Sequence, residues 1–213
     1  MMELIKFSKI SDTTIREKSG IYAWYYSISL GEKDISDLIT KLRNKEANRK
    51  TKFSLVSQFL DRHFYQFFKE SNYKVKLSGK LMPNFEGEIL HVSQSSNELI
   101  EKIIESPIVL WEIKLFLSDV SIDFSSPIYI GMAENLQIRL KKHKSLIDEY
   151  RKNELNHLDL DDRDENFAAR VAARKMLTKN LFVTVQYTES EHKLHNILEN
   201  LINRINYPVL GRN

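Results

Sequence analysis

Three short segments rich in aromatic and β-branched residues limit the folds open to this chain. They are SGIYAWYYSIS at 19–29, SSPIYIGM at 125–132 and LFVTVQY at 181–187. Branched and aromatic side chains pack well on a pleated surface, so each segment is predicted to be a strand. Long stretches with helical apolar spacing separate the three segments, and the chain is therefore predicted to be an α/β protein.

The apolar residues between these segments recur mostly at helical intervals. Pro107 interrupts one such stretch, and the apolar run IVLWEIKLFLSDV that follows it fits either a helix or a strand. Residues 73–92 instead predict a hairpin, because two strand-forming runs flank the turn-rich SGKLMPNFEG. The predicted helices cover 35–47, 52–71, 95–106, 133–152, 167–179 and 190–206.

Composition excludes several classes of protein. The chain has 213 residues, of which 42% are apolar, enough for one sizeable core or two small ones. It has no cysteine, so neither a disulfide framework nor a cysteine-based zinc site is open to it. No stretch is long and apolar enough for a signal peptide or a membrane span. We therefore expect a soluble, cytoplasmic protein.

Positive charge is concentrated in one part of the chain, although the net charge is only +3. Residues 33–81 hold twelve Lys and Arg against five Asp and Glu, whereas residues 82–126 hold two against eight. A dense positive surface can neutralise phosphates and release counterions, so we predict contact with a DNA backbone. A solvated helix end is the alternative interpretation. The predicted contacts are Lys41, Arg43, Lys45, Arg49, Lys50 and Lys52, with Lys142 on the basic outer face of helix 133–152.

Two short tyrosine motifs in distant parts of the chain belong to a longer ordered set. GIY stands at 20–22 and YIG at 129–131, so that Tyr22 and Tyr129 are 107 positions apart. The set continues in chain order with Arg139, His143, Glu199, Pro208 and Asn213. It resembles the GIY-YIG nuclease superfamily, which includes homing endonucleases, the incision subunit of nucleotide-excision repair and some type II restriction enzymes. The resemblance covers about 20–26 and 127–213.

The resemblance implies a particular division of the chain. Residues 1–26 and 127–213 would form the nuclease core, a small, mainly antiparallel sheet of three strands flanked by helices. The strands would come from 20–29, 127–132 and 181–188. In the family YIG usually follows GIY by about a dozen residues, so 27–126 would be an insertion. We expect a mainly helical lobe with a small hairpin, which contacts DNA or mediates dimerisation.

The resemblance also assigns chemical roles. Phosphodiester hydrolysis needs a positioned water, positive charge at the phosphate and help for the leaving oxygen. By the resemblance Glu199 binds Mg²⁺, for which Mn²⁺ could substitute, and Arg139 holds the scissile phosphate. Tyr22 would act as general base or orient the water, and Tyr129 would hydrogen-bond the phosphate or the water. Each of these four residues also has a purely structural interpretation. Glu199 and Arg139 could be exposed helix residues, and Tyr22 and Tyr129 could be half-buried strand tyrosines.

Two further residues complete the expected site. His143 lies four residues after Arg139, on the same helix face, and would orient Tyr22 or relay a proton. A surface histidine is the alternative. Asn213 matches the asparagine that ends the family motif and would secure the site by hydrogen bonds. Met132 departs from some restriction-type relatives, which carry a lysine just after YIG.

We therefore expect a metal-dependent endonuclease that cleaves double-stranded DNA, closest to the type II restriction branch. Such an enzyme must cut two strands, which favours a homodimer or a dimer that forms only on DNA. The main alternative is a non-catalytic DNA-binding or interaction protein that retains the nuclease core, and Met132 and the long insertion support it. A repair, homing or RNA-acting nuclease of the same superfamily is the third interpretation.

Overall fold

A computed structural model describes residues 4–12, 15–44, 46–69, 73–80, 82–89, 95–120, 124–154, 166–188 and 194–211. The described residues form both helices and strands, mixed along the chain, so the predicted α/β class is confirmed. The strands are β1 (Leu4–Lys6), β2 (Gly20–Tyr26), β3 (Tyr73–Gly79), β4 (Met82–Ile89), β5 (Tyr129–Ala133) and β6 (Leu181–Tyr187). The helices are α1 (Glu32–Arg43), α2 (Arg49–His63), α3 (Asn97–Glu105), α4 (Val109–Val120), α5 (Leu136–Glu154), α6 (Phe167–Ala173) and α7 (Leu194–Asn206).

The main sheet has four antiparallel strands in the order β1-β6-β2-β5. The three predicted strands are neighbours in it, but the prediction of three strands was one too few. The fourth strand, β1, pairs with β6 and is only three residues long, too short to produce an alternating pattern in the sequence. Its central residue, Ile5, is buried, and Phe7, Ile10 and Ile15 after it fill the same core.

Strand β2 lies between β5 and β6, and its close packing explains the glycine that begins it. Tyr22 lies opposite Gly131 on one side and Val185 on the other. A Cβ atom on Gly20 would collide with the backbone carbonyl of Gln186 and would come within 2.8 Å of Leu136. Glycine is therefore required here by the closeness of the neighbouring strand and helix.

Helices α5 and α6 cover the face of the sheet that carries Tyr22. On α5, the buried residues follow helical spacing through Leu136, Leu140, His143 and Ile147. On α6, alanines and other apolar residues are buried, and small side chains let the two helices approach closely. The buried residues of α6 are Phe167, Ala168, Ala169, Val171 and Ala172.

The α6 helix is shorter than the helix predicted at 167–179, and its end has a defined cause. Lys175 has a φ angle of 54°, in the left-handed region that stops a helix. The Lys175 amide donates to the Ala172 carbonyl and the Met176 amide donates to the Val171 carbonyl, which together form a Schellman motif. The sequence gives little warning of this end, because a lysine stands where glycine is usual.

Helices α1 to α4 bury a second apolar cluster. The predicted helix at 52–71 ends at His63 and a 3-10 turn, Tyr65–Phe68, follows it. The ambiguous run after Pro107 is helical, as α4, and the predicted hairpin forms between β3 and β4. The interpretation of residues 27–126 as an inserted lobe stays a prediction. The cluster comprises Leu30, Ile35, Leu38, Leu42, Val56, Phe59, Leu60, Ile100, Ile103 and Leu110.

Within the part of the chain that the structure describes, every helix is too short or too polar to cross a bilayer.

Replacing Lys175 by glycine should stabilise the protein. Glycine adopts the left-handed conformation without the steric penalty of a Cβ atom, so we expect a gain of roughly 0.5–1 kcal/mol in the free energy of unfolding. Urea denaturation followed by circular dichroism would measure it. Lys175→Ala is the matched control, because it removes the same charge but keeps the Cβ atom. An equal gain in both variants would contradict the explanation.

Candidate active site

Strand β2 directs Tyr22 and Trp24 to the same face of the sheet, because side chains two residues apart in a strand point the same way. Both are almost completely buried, Tyr22 with 1% of its surface exposed and Trp24 with none. By the same alternation, Tyr129 and Gly131 of β5 share this face with them. The tyrosines of the two motifs thus lie side by side, with ring centroids 6.1 Å apart.

Helix α5 brings two nitrogen groups to the hydroxyl of Tyr22. A hydrogen bond of 2.8 Å joins this hydroxyl to His143 Nε2, and Arg139 Nε donates to the same oxygen over 3.2 Å. The i, i+4 spacing on α5 makes this possible, since it puts both side chains over one spot. His143 belongs to the buried stripe of α5, whereas Arg139 is half-buried at its edge.

Gly131 of the YIG motif lies directly under the ring of Tyr22. A Cβ atom at this position would be 2.6 Å from the Tyr22 hydroxyl oxygen and 2.9 Å from Cε1 of Tyr129. Real Cβ atoms essentially never come that close to an aromatic ring or a hydroxyl. The absence of a side chain at Gly131 therefore lets the two tyrosines converge.

Phe167, the first residue of α6, packs over the cluster. Its ring centroid lies 4.6 Å from that of Tyr129, 5.3 Å from that of His143 and 5.4 Å from that of Trp24. The side chain of Asn166 caps α6 by accepting a hydrogen bond from the Ala168 amide, which holds the start of the helix in place. Phe167 therefore keeps water from one side of the Tyr22–His143 pair.

Burial sets the protonation state of this pair. It raises the pKa of Tyr22 well above its usual range, and the nearby Tyr129 adds to the rise while Arg139 opposes it. Burial, followed by the positive charges of Arg139 and Lys142, lowers the pKa of His143 to about 3. At neutral pH the pair is therefore a phenol beside a neutral imidazole.

Arg139 carries its charge without an acidic partner in the described ranges. No Asp or Glu of those residues forms an ion pair with it, and the groups that act on it are the hydroxyls of Tyr22 and Tyr129. A half-buried guanidinium that only neutral groups contact retains a strong attraction for an anion. The arrangement can hold a phosphate oxygen beside Tyr22.

Glu199 lies on α7, the helix that packs against β5 and β2. Its side chain is half-buried, and its Oε1 accepts a hydrogen bond of 3.2 Å from Asn203 Nδ2. The structure does not bring it into contact with Tyr22 or Arg139 through any hydrogen bond or ion pair among the described residues. Glu199 is thus near the strands of the site but separate from its hydrogen-bonded cluster.

The residues around Glu199 are compatible with one hard divalent cation. A carboxylate offers oxygen ligands, and among the residues described no lysine or arginine neutralises this one. Mg²⁺ commonly takes only one or two protein carboxylates and keeps several waters. A group of three or more His, Cys, Asp or Glu able to hold a metal is absent from the same residues. If a Mg²⁺ or Mn²⁺ ion bound at Glu199, one carboxylate would leave most of its coordination shell to water.

Most of the predicted DNA contacts that the structure describes lie near helix ends, and Lys142 lies within α5. Lys41 and Arg43 are exposed in the last turn of α1, and Lys142 is exposed on α5 one turn after Arg139. Arg49 and Lys50 are exposed in the first turn of α2, but Arg49 is already engaged by Glu101 at 2.9 Å. Lys52 is half-buried, and Lys45 and Asn213 lie outside the described residues.

Sequence reasoning missed Trp24, Phe167 and Asn203. Trp24 follows Tyr22 by two residues in β2, so strand alternation was a signal for it. Phe167 lies beside the motif residues only through packing between β2 and α6, which are far apart in the chain. Asn203 carried a weak signal, since it follows Glu199 by four residues on a predicted helix.

Comparisons with known proteins found no matching family model, no matching curated protein and no matching solved structure. The resemblance to the GIY-YIG superfamily therefore rests on the motif residues in the sequence.

Gly131→Ala should push the ring of Tyr22 away from His143 and Arg139. Because the ring is rigid and fully enclosed, we expect a loss of about 1–3 kcal/mol in the free energy of unfolding. Gly87→Ala is the matched control, since a Cβ atom there meets nothing within 4 Å. Urea denaturation of both variants tests the prediction, and equal stabilities would refute it.

The buried neutral His143 should make stability depend on pH. Its pKa is near 6.5 in the unfolded chain and about 3 in the folded protein, so the unfolded state binds more protons between these values. The contribution of the neutral His143 to the free energy of unfolding is therefore fully present above about pH 6.5 and is lost as the pH drops towards 3. Between pH 7 and 4.5 the free energy of unfolding of the wild type should fall by about 2–3 kcal/mol more than that of His143→Gln, as measured by urea denaturation. Parallel losses in the two proteins would contradict the buried neutral state.

Proposed function

We propose that the chain is a metal-dependent DNA endonuclease of the GIY-YIG type, which hydrolyses phosphodiester bonds. The observation that carries the proposal is the half-buried Arg139, which has no acidic partner in the described part and donates to the buried Tyr22 hydroxyl. Arg139, Tyr22 and His143 come from two segments more than a hundred residues apart. The sequence resemblance predicted these same residues to share one site.

Core packing alone does not account for this cluster well. A structural tyrosine needs a single hydrogen-bond partner, and a structural arginine is usually paired with a carboxylate. Here the Tyr22 oxygen has two nitrogen partners, and the only charge beside it is positive. A site that attracts an anion next to an ordered hydroxyl is what phosphoryl chemistry requires.

In the proposed reaction Arg139 binds a non-bridging oxygen of the scissile phosphate and stabilises the negative charge that develops there. Tyr22 orients the attacking water through its hydroxyl oxygen, and its own proton is directed towards His143 Nε2. Tyr129 hydrogen-bonds the same phosphate or water. Mg²⁺ or Mn²⁺, held by Glu199, would polarise the phosphate and stabilise the leaving oxygen.

The protonation states favour an orienting role for Tyr22 over that of a preformed base. A phenol with the ordinary pKa needs roughly 4 kcal/mol of phenolate stabilisation to reach a pKa near 7, and burial of Tyr22 increases that requirement. The neutral His143 fixes the direction of the Tyr22 hydroxyl through the hydrogen bond at Nε2, and its low pKa opposes full proton transfer to it. Tyr22 therefore orients the attacking water, and no free phenolate has to form first.

Double-stranded DNA is the proposed substrate. The exposed cations of α1, α2 and α5 offer positive charge for its backbone, with Lys142 one turn from Arg139. The motif strings favour a restriction-type enzyme that acts as a homodimer or dimerises on DNA. A repair, homing or RNA-acting nuclease would share the chemistry and differ in substrate.

The second candidate function is DNA binding without cleavage. Met132, which follows YIG, favours it. This residue lies opposite Ile21, on the face of the sheet away from Tyr22, at a position where some restriction-type relatives carry a lysine. The two functions differ in turnover, and one assay separates them.

Mixed duplex DNA should be cut into discrete fragments in the presence of Mg²⁺. Arg139→Ala should lower the cleavage rate by at least about 100-fold, because it removes the main phosphate contact. Lys141→Ala, which removes an exposed cation from the same helix, should stay within a few-fold of wild type. Glu199→Ala and EDTA should each abolish cleavage.

Other outcomes decide between the candidates. Binding in a gel shift without cleavage in Mg²⁺ or Mn²⁺ would replace the proposal with the non-catalytic function. Preferential cleavage of RNA would move the enzyme to the RNA-acting group. Failure to bind or cleave either nucleic acid would refute the proposal.

A further inference from the structure

We propose that Asn203 is a positioning residue that orients the Glu199 carboxylate for the cation. This inference rests on the proposed function, because it takes Glu199 as the metal ligand. It adds a residue that the motif resemblance does not contain.

The geometry places the amide group against the carboxylate. Asn203 follows Glu199 by one helical turn, and its Nδ2 donates to Glu199 Oε1 over 3.2 Å. The opposite orientation of the amide would set two oxygen acceptors against each other, so the hydrogen bond fixes the assignment. Because Oε1 is held in this way, the carboxylate has a defined direction and Oε2 remains available for an ion.

The position of Asn203 on α7 distinguishes it from its polar neighbours. Asn203 and Glu199 are both half-buried, whereas Asn200 and Arg204 on the same helix are exposed. α7 packs against β5 and β2, the strands that carry the two motif tyrosines. The Asn203–Glu199 pair therefore lies on a partly covered face of α7, where a fixed side chain conformation can be maintained.

The environment of the Asn203 amide oxygen is energetically unfavourable. Its Oδ1 is buried and has no hydrogen-bond partner among the residues that the structure describes. An unsatisfied buried acceptor costs roughly 1–3 kcal/mol, and an apolar side chain of similar size would avoid this cost. Packing therefore does not explain an asparagine at this position, whereas orientation of Glu199 does.

Orientation of a metal ligand has a measurable effect on affinity. A glutamate loses the freedom of several side-chain torsions when it binds an ion, and a hydrogen bond that orders it in advance lowers that cost. Removal of residues that orient metal ligands typically weakens metal binding 10–100-fold. We expect a loss in this range when Asn203 loses its amide group.

Titration of the full chain with Mn²⁺, followed by electron paramagnetic resonance without DNA, tests the inference. The proteins are wild type, Glu199→Ala, Asn203→Ala, Asn203→Leu and the matched control Asn200→Ala. Glu199→Ala should abolish the site and Asn200→Ala should leave it unchanged. Both Asn203 variants should weaken Mn²⁺ binding 10–100-fold, with Tm unchanged or higher because the buried unpaired oxygen is gone. In cleavage assays they should raise the Mg²⁺ concentration for half-maximal rate and leave the saturated rate within a few-fold.

The outcomes separate the two proposals. If Glu199→Ala loses Mn²⁺ but both Asn203 variants bind it as tightly as wild type, the positioning role is overturned and the proposed function stands. If both Asn203 variants lower Tm as well as Mn²⁺ affinity, Asn203 is a structural residue and the inference is overturned. If Glu199→Ala binds Mn²⁺ normally, the metal assignment of the proposed function fails and the inference fails with it.

Discussion

The pairing of β2 with both β5 and β6 is the constraint on which the candidate site depends. It puts Tyr22 opposite Gly131, the one position on β5 where the absent side chain leaves room for the tyrosine ring. A shift of one residue would turn Tyr22 and Trp24 to the other face of the sheet, away from His143. The glycines at 20 and 131 enforce the register, because each lies where a side chain would collide with a neighbour.

Helix α5 then determines the electrostatic character of the site. His143 lies in the buried stripe of this helix. Arg139, four residues earlier on the same helical face, lies at the boundary with solvent. Burial keeps the histidine neutral and the tyrosine protonated, while the arginine keeps its charge. One helix thus supplies both a hydrogen-bond partner and a positively charged group to a single hydroxyl, and Phe167 at the start of α6 excludes water from one side.

The sequence could predict the elements with a clear period and could not predict those that tertiary contacts create. The strand at 181–187 and the hairpin between β3 and β4 form as expected, because β-branched content and turn residues indicate them locally. β1 exists only because β6 offers an edge, and α6 ends early because Lys175 accepts a strained conformation. Likewise, motif order predicted Tyr22, Tyr129, Arg139 and His143, whose side chains the structure brings together. Phe167 and Asn203 belong to no motif. Packing reveals Phe167, and for Asn203 the weak signal of its i, i+4 spacing from Glu199 became clear only from its hydrogen bond.

The site and α7 hold opposite charges that do not neutralise each other. Arg139 is a cation without an acidic partner, and Glu199 is an anion without a basic partner, within the residues that the structure describes. Two such groups would pair directly if they were close, and neither desolvated charge would then remain to bind a ligand. Under the proposed function, their separation would leave Arg139 able to bind a phosphate and Glu199 able to bind a divalent cation. Since a phosphate and a cation attract each other as well, each ligand would strengthen the binding of the other, and the two half-sites would act as one only when DNA and metal are both present.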